Sequence, residues 1–117
     1  MVQKGWTLDE YRTAGGTSLV EAFLEGLSND AYAEAVALIK LLAEFGDRLR
    51  FPRSQPLGEG IFELRGKRHG VRMFYVFRPG HRIVLLDGIV KKRDKIPSAV
   101  LKRVRGLRQD LLKREEE

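Results

Sequence analysis

The run Ile83-Val84-Leu85-Leu86 constrains the fold most, because it is apolar at four consecutive positions inside a β-type segment, residues 82–90. Successive side chains of a strand point to opposite faces of the sheet. An apolar residue at both parities therefore predicts a strand whose two faces are both covered. Gly88, in the same segment, predicts a bulge or a close approach of the backbone.

Two further strands are predicted just upstream, over residues 61–65 and 71–78, the second rich in aromatic and β-branched residues. A basic turn separates them, and Pro79-Gly80 separates the second from residues 82–90. Such short turns join the three strands into an antiparallel meander.

The remaining segments divide into one strand, one loop and three helices. Residues 5–13 predict a first strand, whereas residues 51–60 contain two prolines and two glycines and predict a loop. Ser18 and Glu21 match a capping box, in which the hydroxyl and the carboxylate each take up an unpaired backbone N–H. A first helix should follow this box. Ser28-Asn29-Asp30 supplies candidate caps for a second helix, whose apolar residues recur at helical spacing up to a stop at Gly46. Pro97 fits the first turn of a third helix, which has an apolar stripe at Val100, Val104, Leu107 and Leu111.

This order of elements predicts an α+β class. We expect a twisted antiparallel sheet of about four strands, with an N-terminal helical hairpin on one face and a C-terminal helix. The 117 residues suit a single domain, residues 1–117, with a modest core.

Composition excludes several kinds of chemistry. The chain has no cysteine, so disulfides, thiolate catalysis and the usual zinc sites are excluded. Its two histidines lack a nearby acidic cluster, which argues against a metal centre, and we expect no cofactor. No apolar run approaches the ~20 residues of a membrane span. The N-terminus has no secretory pattern, so the cytoplasm is the expected compartment.

Positive charge is concentrated in the second half of the chain. Residues 1–64 hold 6 Lys and Arg against 10 acids, whereas residues 65–114 hold 16 against 3, a net +13 within a chain of formal charge +6. This asymmetry favours a polyanionic partner such as a nucleic acid. A solvated basic face without a partner is the alternative.

Several segments, in order, resemble a known family. They are Phe23-Leu24-Glu25-Gly26-Leu27, Leu41-Leu42-Ala43-Glu44-Phe45-Gly46, residues 57–65, residues 71–75, residues 83–92 and Lys95-Ile96-Pro97. Together they are similar to the phage-derived branch of the RelE/HigB toxins, within the RelE/ParE superfamily. The resemblance covers about residues 17–110.

The resemblance implies the toxin of a type II toxin–antitoxin pair. Such toxins enter the ribosomal A site and cut messenger RNA without a metal, using the 2′-hydroxyl of the substrate as nucleophile. The usual partner in this branch is a helix-turn-helix antitoxin. This reaction needs a base near the 2′-oxygen, positive charge at the phosphate and an acid for the leaving 5′-oxygen.

By motif position, the resemblance assigns catalytic roles to Arg65, Arg72 and Lys91. The two arginines would stabilise the phosphate in the transition state. Lys91 would act as a base or charge stabiliser, with Lys92 as the alternative, because neighbouring strand residues face opposite ways. We expect Arg65 and Lys91 to be exposed. A further set would contact RNA phosphates: Lys67, Arg68, Lys92, Arg93 and Lys95.

Other candidates are weaker. His69 can titrate near neutral pH but is interpreted as an incidental turn residue, as is His81. Tyr75 can stack on a base, although its strand parity favours core packing. Some ribosome-dependent relatives carry a Tyr or His near the C-terminus, and residues 111–117 hold neither, so the general acid stays unassigned.

Two other functions are consistent with the same resemblance. One is a ParE-like toxin that poisons DNA gyrase without cutting RNA, since one fold serves both activities. The other is a degenerate, non-catalytic nucleic-acid-binding protein.

Overall fold

The computed structural model describes residues 5–91 and 95–116, and within them the chain forms five strands and three α-helices. The strands are β1 (Thr7–Glu10), β2 (Ser54–Gly58), β3 (Ile61–Arg65), β4 (Val71–Arg78) and β5 (Arg82–Val90). The helices are α1 (Leu19–Glu25), α2 (Asn29–Phe45) and α3 (Ser98–Glu115), and a 3₁₀ turn, Gly46–Arg48, follows α2.

All five strands form one sheet in the order β1-β5-β4-β3-β2. The predicted meander is confirmed, because β3, β4 and β5 pair antiparallel. β1 pairs parallel with β5, so the sheet is mixed and has five strands where about four antiparallel strands were expected.

The prediction of a loop over residues 51–60 is wrong for the part that forms β2. This strand pairs antiparallel with β3 and shifts register between Pro56 and Gly58. β2 lies at the edge of the sheet, where a proline costs no hydrogen bond to a further strand. The prolines and glycines of residues 51–60 therefore indicated a loop where the chain forms an edge strand.

Both faces of β5 are covered, as its apolar run predicted. Ile83 and Leu85 belong to a core shared with α1 and α2. Val84 and Leu86 belong to a second core, which contains Val104 of α3. The sheet is therefore the middle layer between the N-terminal helices and the C-terminal helix.

Gly88 lies next to the predicted bulge but pairs regularly with Met73, and its close neighbour is a side chain rather than backbone. The register of β4 and β5 shifts by one residue near it, where Phe74 pairs with Asp87 and Tyr75 pairs with Leu85. A Cβ at Gly88 would lie 2.4 Å from Cδ2 of Phe23, so only glycine leaves room for this ring of α1.

The helix starts follow the predicted caps in part. The Ser18 hydroxyl accepts the Glu21 backbone N–H at 3.1 Å, but the Glu21 carboxylate pairs with Arg12 at 2.9 Å and does not complete a capping box. The Ser28 hydroxyl caps α2 through the Ala31 N–H. Pro97, predicted to lie in the first turn of the third helix, instead occupies the N-cap position of α3, one residue before that turn.

Candidate functional site

One surface groove collects most of the cations that the sequence singled out. It encloses about 720 Å³ and lies where β3 and β5 end and β4 begins. Its walls comprise Phe51, Pro52, Arg53, Arg65, Gly66, Lys67, Arg68, Gly70, Arg72 and Lys91. We call this the cationic groove; none of its described lining residues is acidic.

The three predicted catalytic residues reach the groove from three neighbouring strands. Arg65 ends β3 and lies directly opposite Arg72 in the β3–β4 register. Lys91 follows the last residue of β5, and its backbone N–H donates to the Gly70 carbonyl at 2.7 Å. The antiparallel meander therefore brings these residues together although they span 27 positions of sequence.

Arg72 is buried and forms an ion pair inside the sheet. Its side chain is 4% exposed, and its Nη1 donates to Oε2 of the fully buried Glu63 at 2.8 Å. The other carboxylate oxygen of Glu63 accepts from the Gln55 amide at 2.8 Å and lies 3.9 Å from Nε of Arg65. Glu63 thus holds both arginines from beneath the groove.

Arg65 is less accessible than expected. Its side chain is 17% exposed, so the expectation of an exposed residue is wrong, and Lys91 is also only half-buried rather than exposed. Glu63 and Phe51 are two of the neighbours of Arg65, whose guanidinium carbon lies 5.8 Å from the Phe51 ring centroid.

The basic turn between β3 and β4 is fixed by one carboxylate of α2. Oε2 of Glu34 accepts the backbone N–H groups of Lys67 and Arg68 at 3.0 and 2.9 Å, and Oε1 accepts that of His69 at 3.1 Å. The side chains of Lys67 and Arg68 line the groove from this turn and remain exposed.

The other predicted RNA-binding residues lie elsewhere or outside the described residues. Lys95 is exposed and does not line the groove. Lys92 and Arg93 lie outside the described residues. The choice between Lys91 and Lys92 therefore stays a prediction, although Lys91 does line the groove.

Two lining residues were missed by sequence reasoning. Arg53 and Phe51 lie in the segment that was interpreted only as a loop. The Arg53 carbonyl accepts the Arg65 backbone N–H at 2.7 Å, which ties this segment to the end of β3. The sequence showed only that a phenylalanine and an arginine lie beside prolines. Their position in the groove depends on the pairing of β2 with β3, which the sequence did not predict.

The weaker candidates have structural roles. Tyr75 is buried, and its hydroxyl forms a hydrogen bond with that of Ser54, while burial raises the pKa of the phenol. This confirms the core packing that strand parity favoured. The His81 ring lies 4.3 Å from that of Trp6, and His69 contributes its backbone N–H to Glu34.

The groove is suited to binding a phosphate, but few of its described lining residues can donate or accept a proton. Arginine stays protonated in proteins and acts as a clamp for phosphate oxygens. Among the described lining residues, only Lys67 and Lys91 have side chains able to exchange a proton in acid–base catalysis. Within residues 5–91 and 95–116, no group of His, Asp or Glu could hold a metal ion.

The family follows from a sequence comparison. Residues 22–108 match the family described as Phage derived protein Gp49-like. The chain belongs to this Gp49-like family. The match confirms the resemblance to phage-derived RelE-type toxins that the sequence motifs indicated. A comparison of the Gp49-like chain with curated protein sequences finds no match.

Solved RelE structures share the fold. The isolated RelE toxin of E. coli superimposes with a TM-score of 0.57 at 13% identity, covering 85% of this chain and 98% of its own. The RelBE2 toxin–antitoxin complex of Mycobacterium tuberculosis gives 0.54 at 20% identity, covering 74% and 99%. The RelE–RelB complex of Pyrococcus horikoshii OT3 gives 0.51 at 14% identity, covering 76% and 98%. The Gp49-like chain thus has a RelE-like α+β fold.

No helix within the described parts of the chain is both long and apolar enough to span a lipid bilayer.

Proposed function

We propose that this Gp49-like chain is the toxin of a type II toxin–antitoxin system and acts as a ribosome-dependent endoribonuclease on messenger RNA. The cationic groove carries the proposal: it gathers Arg65, Arg72 and Lys91 on one surface, together with the exposed Lys67 and Arg68. A cleft lined by one sign of charge concentrates a polyanion at the point of catalysis.

Cleavage would proceed by attack of the ribose 2′-oxygen on the adjacent phosphorus. A P–O2′ bond forms and the P–O5′ bond breaks, leaving a 2′,3′-cyclic phosphate and a 5′-hydroxyl. Lys91 would accept the proton of the 2′-hydroxyl, and a proton donor, still unassigned, would protonate the 5′-oxygen. Arg65 would bind the phosphate oxygens as negative charge builds up on them.

Arg72 would act from a more buried position than Arg65. Because its guanidinium is held by Glu63 at the floor of the groove, its orientation is fixed before a substrate arrives. Because the Glu63 carboxylate offsets most of its net charge, Arg72 would act as an oriented N–H dipole at a constant place, with little rearrangement during the reaction.

The proposed partners are the ribosomal A site with its messenger RNA, and a helix-turn-helix antitoxin encoded beside the toxin. Two of the structural neighbours are RelE chains in toxin–antitoxin complexes, which supports an antitoxin partner. This function requires a cytoplasmic location.

The test is induced expression in a bacterium, with and without the neighbouring reading frame, followed by primer extension on a translated message. We expect growth arrest, cleavage within codons, and rescue by the neighbouring frame. Arrest with trapped gyrase and intact messages would replace the proposal with a gyrase poison. Normal growth at full expression would indicate a non-catalytic nucleic-acid-binding protein.

A further inference from the structure

A second groove adjoins the cationic groove and has a different chemistry. It encloses about 540 Å³, and most of its lining surface is apolar. The lining includes Leu49, Pro56, Phe62, Tyr75 and Phe77, together with the charged Asp47 and Arg50. Phe51 lines both grooves and therefore stands between the charged surface and the apolar one. We call the second one the apolar groove.

Phe51 is unusually exposed for a phenylalanine. Its exposed fraction is 69%, against 48% for Tyr32 and 51% for Val90, the other large exposed apolar residues of the described chain. Neither Tyr32 nor Val90 lines these two grooves. A contiguous apolar patch with a polar rim is typical of a binding surface, and Phe51 extends the lining of the apolar groove to the edge of the cationic groove.

The segment that carries Phe51 is held in place by the backbone. The N–H groups of Arg53 and Ser54 both donate to the Arg50 carbonyl, at 3.1 and 3.2 Å. The Arg53 carbonyl accepts from Arg65, whose guanidinium also lies over the Phe51 ring. The backbone that carries the ring is therefore anchored, and the ring adjoins the arginine that is proposed to bind the phosphate.

We infer that Phe51 and the apolar groove form a subsite for a nucleobase of single-stranded RNA. The inference rests on the proposed function, because the cations place the phosphate and thereby bring the attached base to the aromatic wall. A single strand alternates negative phosphates with flat apolar bases, and proteins bind it with a cationic track beside aromatic stacking faces. The continuity of these two grooves at Phe51 matches that alternation.

The experiment compares two oligoribonucleotides of equal length and charge, one with all its bases and one with abasic sugars. Both carry 2′-O-methyl groups, which block the proposed nucleophile and prevent cleavage. Binding is measured by fluorescence anisotropy for the full chain and for Phe51→Leu and Phe51→Trp, with Tyr32→Leu as a control at an exposed aromatic outside both grooves.

The wild-type chain and Tyr32→Leu should bind the base-containing strand more tightly than the abasic strand. Since stacking on one aromatic contributes roughly 5- to 150-fold in affinity, Phe51→Leu should lose most of that preference, and Phe51→Trp should retain it. The affinity for the abasic strand should stay unchanged in all four proteins.

Three results would overturn the inference. Equal binding of both strands by the wild-type chain would exclude a base subsite, while salt-sensitive binding would leave the proposed function standing. An equal loss for both strands in Phe51→Leu would mean that Phe51 only positions Arg65. Absence of binding to either strand would overturn the subsite on the isolated chain, whereas the proposed nuclease is decided separately by primer extension on a translated message.

Discussion

The cationic groove differs from a groove on another part of the molecule in how its charges are compensated. The second one, the paired groove, encloses about 510 Å³ between β1 and the end of α3 and is also rich in arginine. There Arg82 pairs with Asp9 and Glu115 at 3.0 and 2.9 Å. Burial and the Asp110 carboxylate raise the pKa of Tyr11, whose hydroxyl donates to Asp110 at 2.6 Å.

This difference shows that a count of arginines does not locate a phosphate site. Arg103 pairs with Asp87, and Arg105 pairs with Glu59, each at 2.9 Å. Many cations of residues 65–114 thus attach α3 to the sheet. Only where cations line a groove without lining carboxylates is a polyanion the natural partner.

The largest expected effect concerns the buried pair beneath the cationic groove. Glu63→Ala removes the carboxylate that Arg72 contacts inside the sheet, and losing one partner of a buried pair costs about 3–5 kcal/mol in the free energy of unfolding. Urea unfolding followed by circular dichroism measures the loss. Arg105→Ala, at a half-exposed pair of α3, should cost at most about 1 kcal/mol.

Similar losses for Glu63→Ala and Arg105→Ala would contradict the distinction between a buried and a surface pair. Glu63→Gln keeps the size of the side chain and separates the effect of charge from that of packing.

The next effect is on activity. Arg65→Ala and Lys91→Ala should abolish growth arrest and lower cleavage by roughly 10²–10³-fold, as removal of a transition-state donor does in other enzymes. Arg105→Ala, whose charge is paired outside the groove, should remain toxic. Growth curves and primer extension measure both, and a folded Arg65→Ala variant with full toxicity would remove Arg65 from the site.

A smaller effect is expected from the carboxylate that fixes the basic turn. Glu34→Ala leaves the N–H groups of Lys67, Arg68 and His69 to water and frees the turn, so cleavage should fall by roughly 10-fold, about 1.4 kcal/mol. Glu44→Ala, at an exposed position of the same helix, is the matched control. Equal cleavage by both variants would show that the turn needs no anchor.

The ion pairs of Glu115 in the paired groove should stabilise the folded state less as the pH falls. Hydrogen bonds from Arg82 and then Arg78 lower the pKa of Glu115 below its ordinary value of 4.5. The pair therefore stabilises the folded state above about pH 4.5, and this stabilisation is lost as the pH falls through the folded-state pKa. Glu115→Gln should cost at most about 1 kcal/mol at pH 7, and its difference from wild type should shrink on acidification. A difference constant between pH 7 and pH 3 in urea titrations would contradict this.

The smallest effect is on the salt dependence of RNA binding. Each phosphate contact on a single strand contributes a log–log slope of about −0.7, so Lys67→Ala should make the slope shallower by about that amount. Lys102→Ala on α3 should leave the slope unchanged. A flat salt response of the wild-type chain would remove the electrostatic basis of the site.

Much of the fold could be predicted from local sequence patterns. The features that these patterns missed depend on which strands pair with each other. The apolar parity of β5 predicted two cores, and the turns around β4 predicted the meander. β2 escaped because an edge strand tolerates Pro56 and resembles a loop. The parallel pairing of β1 with β5 joins distant segments and has no local signature.

The sequence predicted which residues of the candidate site lie close together better than it predicted their contacts. Motif order brought Arg65, Arg72 and Lys91 together, and strand parity placed Tyr75 in the core. The partner of Arg72 was missed, because Glu63 meets it only through the β3–β4 pairing. Spacing along one strand carries no information about such a cross-strand contact.

Gly70 affects when the repulsion between the cations of the groove is overcome, which is during folding rather than during binding. Its φ is +72°, and a Cβ there would lie 2.8 Å from the Lys91 carbonyl oxygen, so the peptide backbone itself sets the spacing of the turn and the lysine. Like charges held at a fixed spacing repel one another before any ligand arrives, and folding overcomes this repulsion once. An anion that enters the groove therefore meets cations that are already gathered. Its binding reduces the repulsion between these cations, and no further energy is needed to bring them together.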